Sequence, residues 1–196
     1  MMLAVVMFPA FEPGFASALT SDVKTVVTRQ QVTSEISIAL SSTAVTMLPA
    51  IPGLTGGVGT GSTIATVITN NYAGFTVNTT SSSTAGDMIG EVTGNKISAV
   101  AATPATWAVS ADNTGFGMAI TTDSANVASP AIYASKNSGT DFGAVKDATI
   151  MKRTTATDAD GETATLDFKA EVKATHTLPV GQDWYTATTT LTATMN

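Results

Sequence analysis

The single histidine, His176, lies between Thr175 and Thr177 in a strand-like stretch just before Pro179. A histidine base needs a nucleophile within hydrogen-bond reach and an acid to orient its ring. No G-x-S-x-G elbow occurs in the chain. Cysteine is absent, which removes thiol catalysis, Cys-ligated zinc and disulfides together. His176 therefore reads as a surface or strand-end histidine, and no catalytic residue is assigned. Paired acids could cleave a glycoside only across a sugar cleft. Such clefts are rich in stacking aromatics, and here aromatics are 6% of residues. The chain is read as a non-enzyme.

Binding chemistry has more candidates. Asp158, Asp160 and Glu162 fall in the run Asp158-Ala159-Asp160-Gly161-Glu162, with Asp141 and Asp147 as further acids. Calcium takes about six to eight oxygens, and these three could supply some of them, although the full EF-hand pattern is missing. Asp-Gly is equally a hairpin-turn signal, because it accommodates positive φ. The hairpin is the preferred reading, with calcium the one cofactor left open. Trp107 and Trp184 could be sugar platforms but are more often core or sheet-edge anchors. The glycine-rich run over residues 53–61 lacks the G-K-[ST] ending of a phosphate loop. It reads as a linker or an inter-sheet crossover. Thr186, Thr188, Thr190, Thr192 and Thr194 form one threonine row. An ice- or glycan-binding face needs several parallel rows, so this one reads as an ordinary solvated strand face. Asn78-Thr79-Thr80 is a glycosylation sequon of the kind a Thr-rich chain contains by chance.

The elements that must position these residues are strands. Ile36, Ile38 and Leu40 alternate with small or polar residues. Ile64, Thr66 and Ile68 share one face of the next run, with Ala65 and Val67 on the other. Phe75 and Val77, then Trp107 and Val109, then Phe116, Met118 and Ile120 continue the two-residue period. Ala164, Leu166, Phe168, Ala170 and Val172 alternate with Thr165, Asp167, Lys169, Glu171 and Lys173, the pattern of a strand with one wet face. In the final run Tyr185, Ala187, Thr189, Leu191, Ala193 and Met195 oppose the threonine row. Residues 81–160 are the least patterned third, with room for long loops or a short helix near residues 123–135. Short strands at such intervals imply an all-β fold, an antiparallel β-sandwich of immunoglobulin-like or jelly-roll type.

Composition agrees. Charged residues are 12%, about half the usual globular share. Thr and Ser make up about a quarter of the chain and replace that polarity. Thr is stiff at χ1 and favours strands over helices. The net charge is −6 and no basic run exists, so nucleic acid is not an expected partner. Residues 1–18 read as a signal peptide ending in the A-x-A pattern of Ala16, Ser17 and Ala18, or alternatively as a retained N-terminal strand. Their apolar run is too short for a membrane span. Residues 19–196 read as a single sandwich domain, secreted to the extracellular space or cell surface.

Three stretches carry a resemblance, one of them the strand over residues 33–40 after a signal-like start. Val67-Ile68-Thr69-Asn70-Asn71-Tyr72-Ala73-Gly74-Phe75-Thr76-Val77 resembles the Thr-Asn then Gly-aromatic strand pair of secreted prokaryotic surface proteins. Leu178-Pro179-Val180-Gly181, followed by Tyr185 to Thr192, is similar to their closing strands, with Asp183-Trp184 where a glycine usually precedes the tyrosine. These families are the spore-coat-U, fimbrial-like and WxL-like surface domains. The resemblance implies an exported sandwich with a structural or adhesive role.

An open sandwich must protect its edge strands, usually with charge or proline. The stretches over residues 23–28 and 185–195 carry almost no charge. One of them could add to a neighbour's sheet, giving a homopolymeric filament or surface layer. Leu3, Val5, Met7, Val23 and Val26 are the expected subunit contacts, the first three as a donor strand filling a groove. The competing expectation is a monomeric carbohydrate-binding or adhesion module.

Overall fold

A computed structural model of the chain describes residues 24–100, 105–122, 141–145, 147–174 and 183–196. Among them there are strands and no helix. Thr33–Asn196 forms one compact unit, separate from the residues up to Val32. Within the latter, residues 24–32 form neither strand nor helix and are exposed. His176, and the stretch over residues 123–135 read as long loops or a short helix, lie outside the described residues.

The strands are β1 (Ile36–Leu40), β2 (Gly57–Thr69), β3 (Phe75–Ser81), β4 (Met88–Gly90), β5 (Lys96–Ile97), β6 (Ala105–Thr106), β7 (Thr114–Thr122), β8 (Asp141–Phe142), β9 (Ala148–Arg153), β10 (Glu162–Val172), β11 (Tyr185–Thr186) and β12 (Thr189–Met195). The larger sheet has the order β1-β2-β10-β7, and its counterpart the order β12-β3-β9. Two small sheets, β11-β4-β5 and β6-β8, complete the set, and every strand pair is antiparallel. The fold is an antiparallel β-sandwich.

Strand β10 shows the alternation expected of it. Ala164, Leu166, Ala170 and Val172 are buried, with Phe168 packed against them. Opposite them, Phe75 and Val77 of β3 and Ile150 and Met151 of β9 fill the same core. In β2 the expected period holds, and the buried face is Thr63, Ala65, Val67 and Thr69. Ile64 and Ile68, the larger side chains, are each 42% exposed. Register decides this. Ala65 stands opposite Ala164 and Thr63 opposite Leu166, so the odd positions must face inward.

The glycine run is not a linker. Gly57, Gly59 and Gly61 belong to β2 and stand opposite Val172, Ala170 and Phe168. They therefore lie on the inward face, where they leave space that a passing segment fills. A Cβ on Gly61 would meet Val45 Cγ1 at 2.7 Å, and one on Gly59 would meet the Pro49 carbonyl at 3.1 Å. Met47 and Ile51 thereby reach the core. Backbone bonds between Leu48 and Thr60, at 2.9 and 3.0 Å, fasten the segment. We expect Gly61→Val to destabilise the fold by about 1–3 kcal/mol through overpacking, measured as a lower urea midpoint with an unchanged slope.

Candidate functional site: two unguarded sheet edges

The backbone of an edge strand presents N–H and C=O groups with no partner, and each edge needs a device that blunts it. The edge of β7 is covered. Val100 N–H donates to the Phe116 carbonyl and Phe116 N–H to that of Ser98, each at 2.9 Å. Met118 and Gly143 exchange two further bonds. This strap is itself anchored. Asp87 accepts the Ala99 amide at 2.7 Å, and Asp112 accepts the Ser98 hydroxyl at 2.5 Å, the Thr114 hydroxyl at 2.8 Å and the Ser110 hydroxyl. Burial alone would raise the Asp112 carboxyl, but donation from Ser110, Ser98 and Thr114 outweighs it and holds the group well below the usual carboxylate range.

The edge of β9 is blunted differently. A bulge breaks its register with β3 between Val77 and Asn78. Lys152 and Arg153 charge the strand, and Arg153 points inward. Bulges and inward charges are both recognised edge protections. Arg153 pairs with Glu162 of β10, the two side chains being 8% and 6% exposed. This ion pair ties the two sheets together beside the Asp158–Gly161 turn bond of 3.0 Å.

Among the described residues, strands β1 and β12 have neither device. Neither contains a charged residue or a proline. Both have one strand neighbour among the described residues, β2 and β3 respectively. Ser41 N–H donates to the Ile64 carbonyl at 2.8 Å, so odd positions of β1 face β2 and the backbone groups of Ile36, Ile38 and Leu40 face outward. Ser82 N–H donates to the Thr188 carbonyl at 2.9 Å and Asn196 N–H to that of Gly74 at 3.2 Å. Even positions of β12 therefore face β3, and the backbone groups of Thr189, Leu191, Ala193 and Met195 face the open side. The two edges occupy the same flank of the sandwich, since Cα atoms of β1 and β12 approach within 8 Å. Their inward rows, Ile36, Ile38 and Leu40 against Leu191 and Ala193, are only half-buried.

The structure scatters the other nominated residues. Glu162 faces Arg153, while Asp158 and Asp160 are exposed in the turn. No group of three acids or histidines that could hold a metal occurs among the described residues. Trp107 does not offer an open platform. Its ring meets Phe142 edge-on at 5.3 Å, Lys169 Nζ lies 4.2 Å above it, and its Nε1–H donates to Glu171. Burial would raise Glu171, but bonds from Lys173 and Trp107 and the charges of Lys173 and Lys169 lower it overall. Trp184 is 68% exposed. Its neighbour Asp183 accepts the Thr93 hydroxyl at 2.6 Å and the Val92 and Thr93 amides at 3.1 Å, fixing β11 against the turn after β4. Of the expected subunit contacts, Leu3, Val5, Met7 and Val23 lie outside the described residues, and Val26 is 84% exposed. The sequence reading missed β1 as an edge. Its signal was present in Ile36-Ser37-Ile38-Ala39-Leu40, a charge-free alternating strand.

The described residues include no helix long and apolar enough to cross a membrane. The chain matches no protein-family model, no curated protein and no solved structure.

Two measurements check these assignments. Glu162→Ala leaves a buried guanidinium unpaired and is expected to cost about 3–5 kcal/mol, whereas Asp160→Asn should stay within about 0.5 kcal/mol, both read by chemical denaturation. Asp112 is held low in the folded state, so its contribution is present above its unfolded pKa of about 3.9 and is lost as pH falls through the lower folded value. Asp112→Asn should therefore lower the melting temperature at pH 7, and the gap to the parent should narrow as pH drops below about 3.9.

Proposed function

We propose that this protein is a structural subunit of an extracellular filament or cell-surface layer, and that copies associate by β-strand addition. The observation that carries this reading is the unequal treatment of the four sheet edges. Covering, bulging and charge protect β7 and β9, and β1 and β12 are left charge-free with half-buried apolar rows behind them. An edge of that kind recruits another strand. The convergence of β1 and β12 favours addition alongside an edge over insertion of a donor strand between the sheets. The resemblance to exported surface domains and the low charge content support the extracellular placement. No residue is proposed to be catalytic.

Placing lysine at Thr190 and Thr192 should guard the edge. The double variant is expected to lose the edge-mediated association that the parent shows by sedimentation as concentration rises, and with it the ordered assemblies in negative stain, while keeping the thermal midpoint that the parent has at dilution. A parent that stays monomeric at high concentration overturns the proposal. Trp184 favours the second reading, a carbohydrate-binding module, because its indole is exposed beside a rigidly held turn. That reading expects a glycan-array signal that Trp184→Ala removes.

A further inference from the structure

The position and register of the open edges say which contact a second copy makes. Association through one flank has two geometries. A head-to-tail contact uses two different surfaces and continues into a fibre, whereas a two-fold contact uses one surface twice and closes. Both unguarded edges lie on one flank, where β1 and β12 approach within 8 Å. A copy that adds to either edge therefore also stands in front of the other. Such an arrangement suits a two-fold contact and obstructs a continuing one.

The sequence of β12 is self-complementary about its middle. In an antiparallel pair centred on Thr192, Thr190 of one copy stands opposite Thr194 of the other, Leu191 opposite Ala193, and Thr189 opposite Met195. On the outer face every opposed pair is Thr with Thr, a favourable cross-strand combination. On the inner face a large side chain meets a small one, and the row carries no charge to repel its copy. The hydrogen-bonding phase agrees with this register. Thr188 and Asn196 direct their backbone groups toward β3, so Thr192, in phase with them, does the same. Thr192 therefore falls on a non-hydrogen-bonded position of the new pair, where opposed Cα atoms approach to about 4.5 Å. Leu191 and Ala193, whose backbone groups face outward, would exchange both N–H···O bonds with their counterparts.

We infer that β12 pairs antiparallel with β12 of a second copy across a two-fold axis at Thr192, the Ile36, Ile38 and Leu40 rows closing behind it, so that a closed dimer is the unit of assembly. This inference rests on the strand-addition reading and specifies its partner and register. Growth into a filament or layer then uses a surface other than this flank.

The absence of cysteine makes the register directly measurable. In the full-length chain, Thr192→Cys should form an intermolecular disulfide under mild oxidation, because about 4.5 Å between Cα atoms suits the bond. Thr190→Cys alone should not cross-link, while the double variant Thr190→Cys with Thr194→Cys should, and with two thiols per chain its product should still stop at two chains. If Thr192→Cys stays reduced and cross-links appear only in the double variant Ser37→Cys with Thr192→Cys, whose two thiols per chain allow a ladder beyond two chains, strand addition stands and the two-fold contact is overturned. If no variant cross-links and light scattering finds monomer at every concentration, strand addition itself falls.

Discussion

The larger sheet of the sandwich is registered on one strand. Over its full length β10 is paired with β2 on one side, and from Ala164 to Val172 with β7 on the other. Its backbone is thereby satisfied without water, and its pleat dictates which residues of both neighbours face inward. A shift of one residue along β10 would turn Leu166 and Val172 to solvent and bring Asp167 and Lys169 into the core. The inter-sheet ion pair of Glu162 with Arg153 extends from the same strand, as does the bed of Lys169 and Glu171 on which Trp107 rests.

What the sequence made legible follows from how locally each feature is encoded. The period of β10 and of the terminal strand is written in their own residues, and both were readable, including the threonine face. The inward face of β2 was not, because Ala65 and Val67 win the core over Ile64 and Ile68 only through pairing with β10, a partner about a hundred residues away. The glycine run misled for a different reason. Gly57, Gly59 and Gly61 recur at the strand period, a sign that one face has been emptied for a neighbouring backbone, yet glycine density is also what a loop looks like. The candidate contact surface was half legible. Charge-free β12 stood out, whereas β1 becomes an edge only once the strand order is known. The pairing of Glu162 with Arg153 is a contact between sheets and left no sequence signal beside the Asp-Gly turn.

The four edges show that protection in this fold is selective. The strap along β7 is fastened by two buried or partly buried acids, Asp87 and Asp112, each accepting several bonds. The edge of β9 spends a buried cation. Against that outlay, the plainness of the opposite flank is a distinct structural property of the molecule. The same flank brings two rows of short polar side chains side by side, because Thr190, Thr192 and Thr194 of β12 lie in register with Thr80, Asn78 and Thr76 of β3.

That last register has a kinetic consequence. Among the described residues β12 has one strand partner, β3, with Thr192 against Asn78, and β3 in turn borders β9. During synthesis β3 can therefore pair on one side with β9 well before β12 is available for the other. Folds dominated by such distant pairings mature slowly, and a chain without cysteine has no disulfide to hold a premature pairing in the meantime.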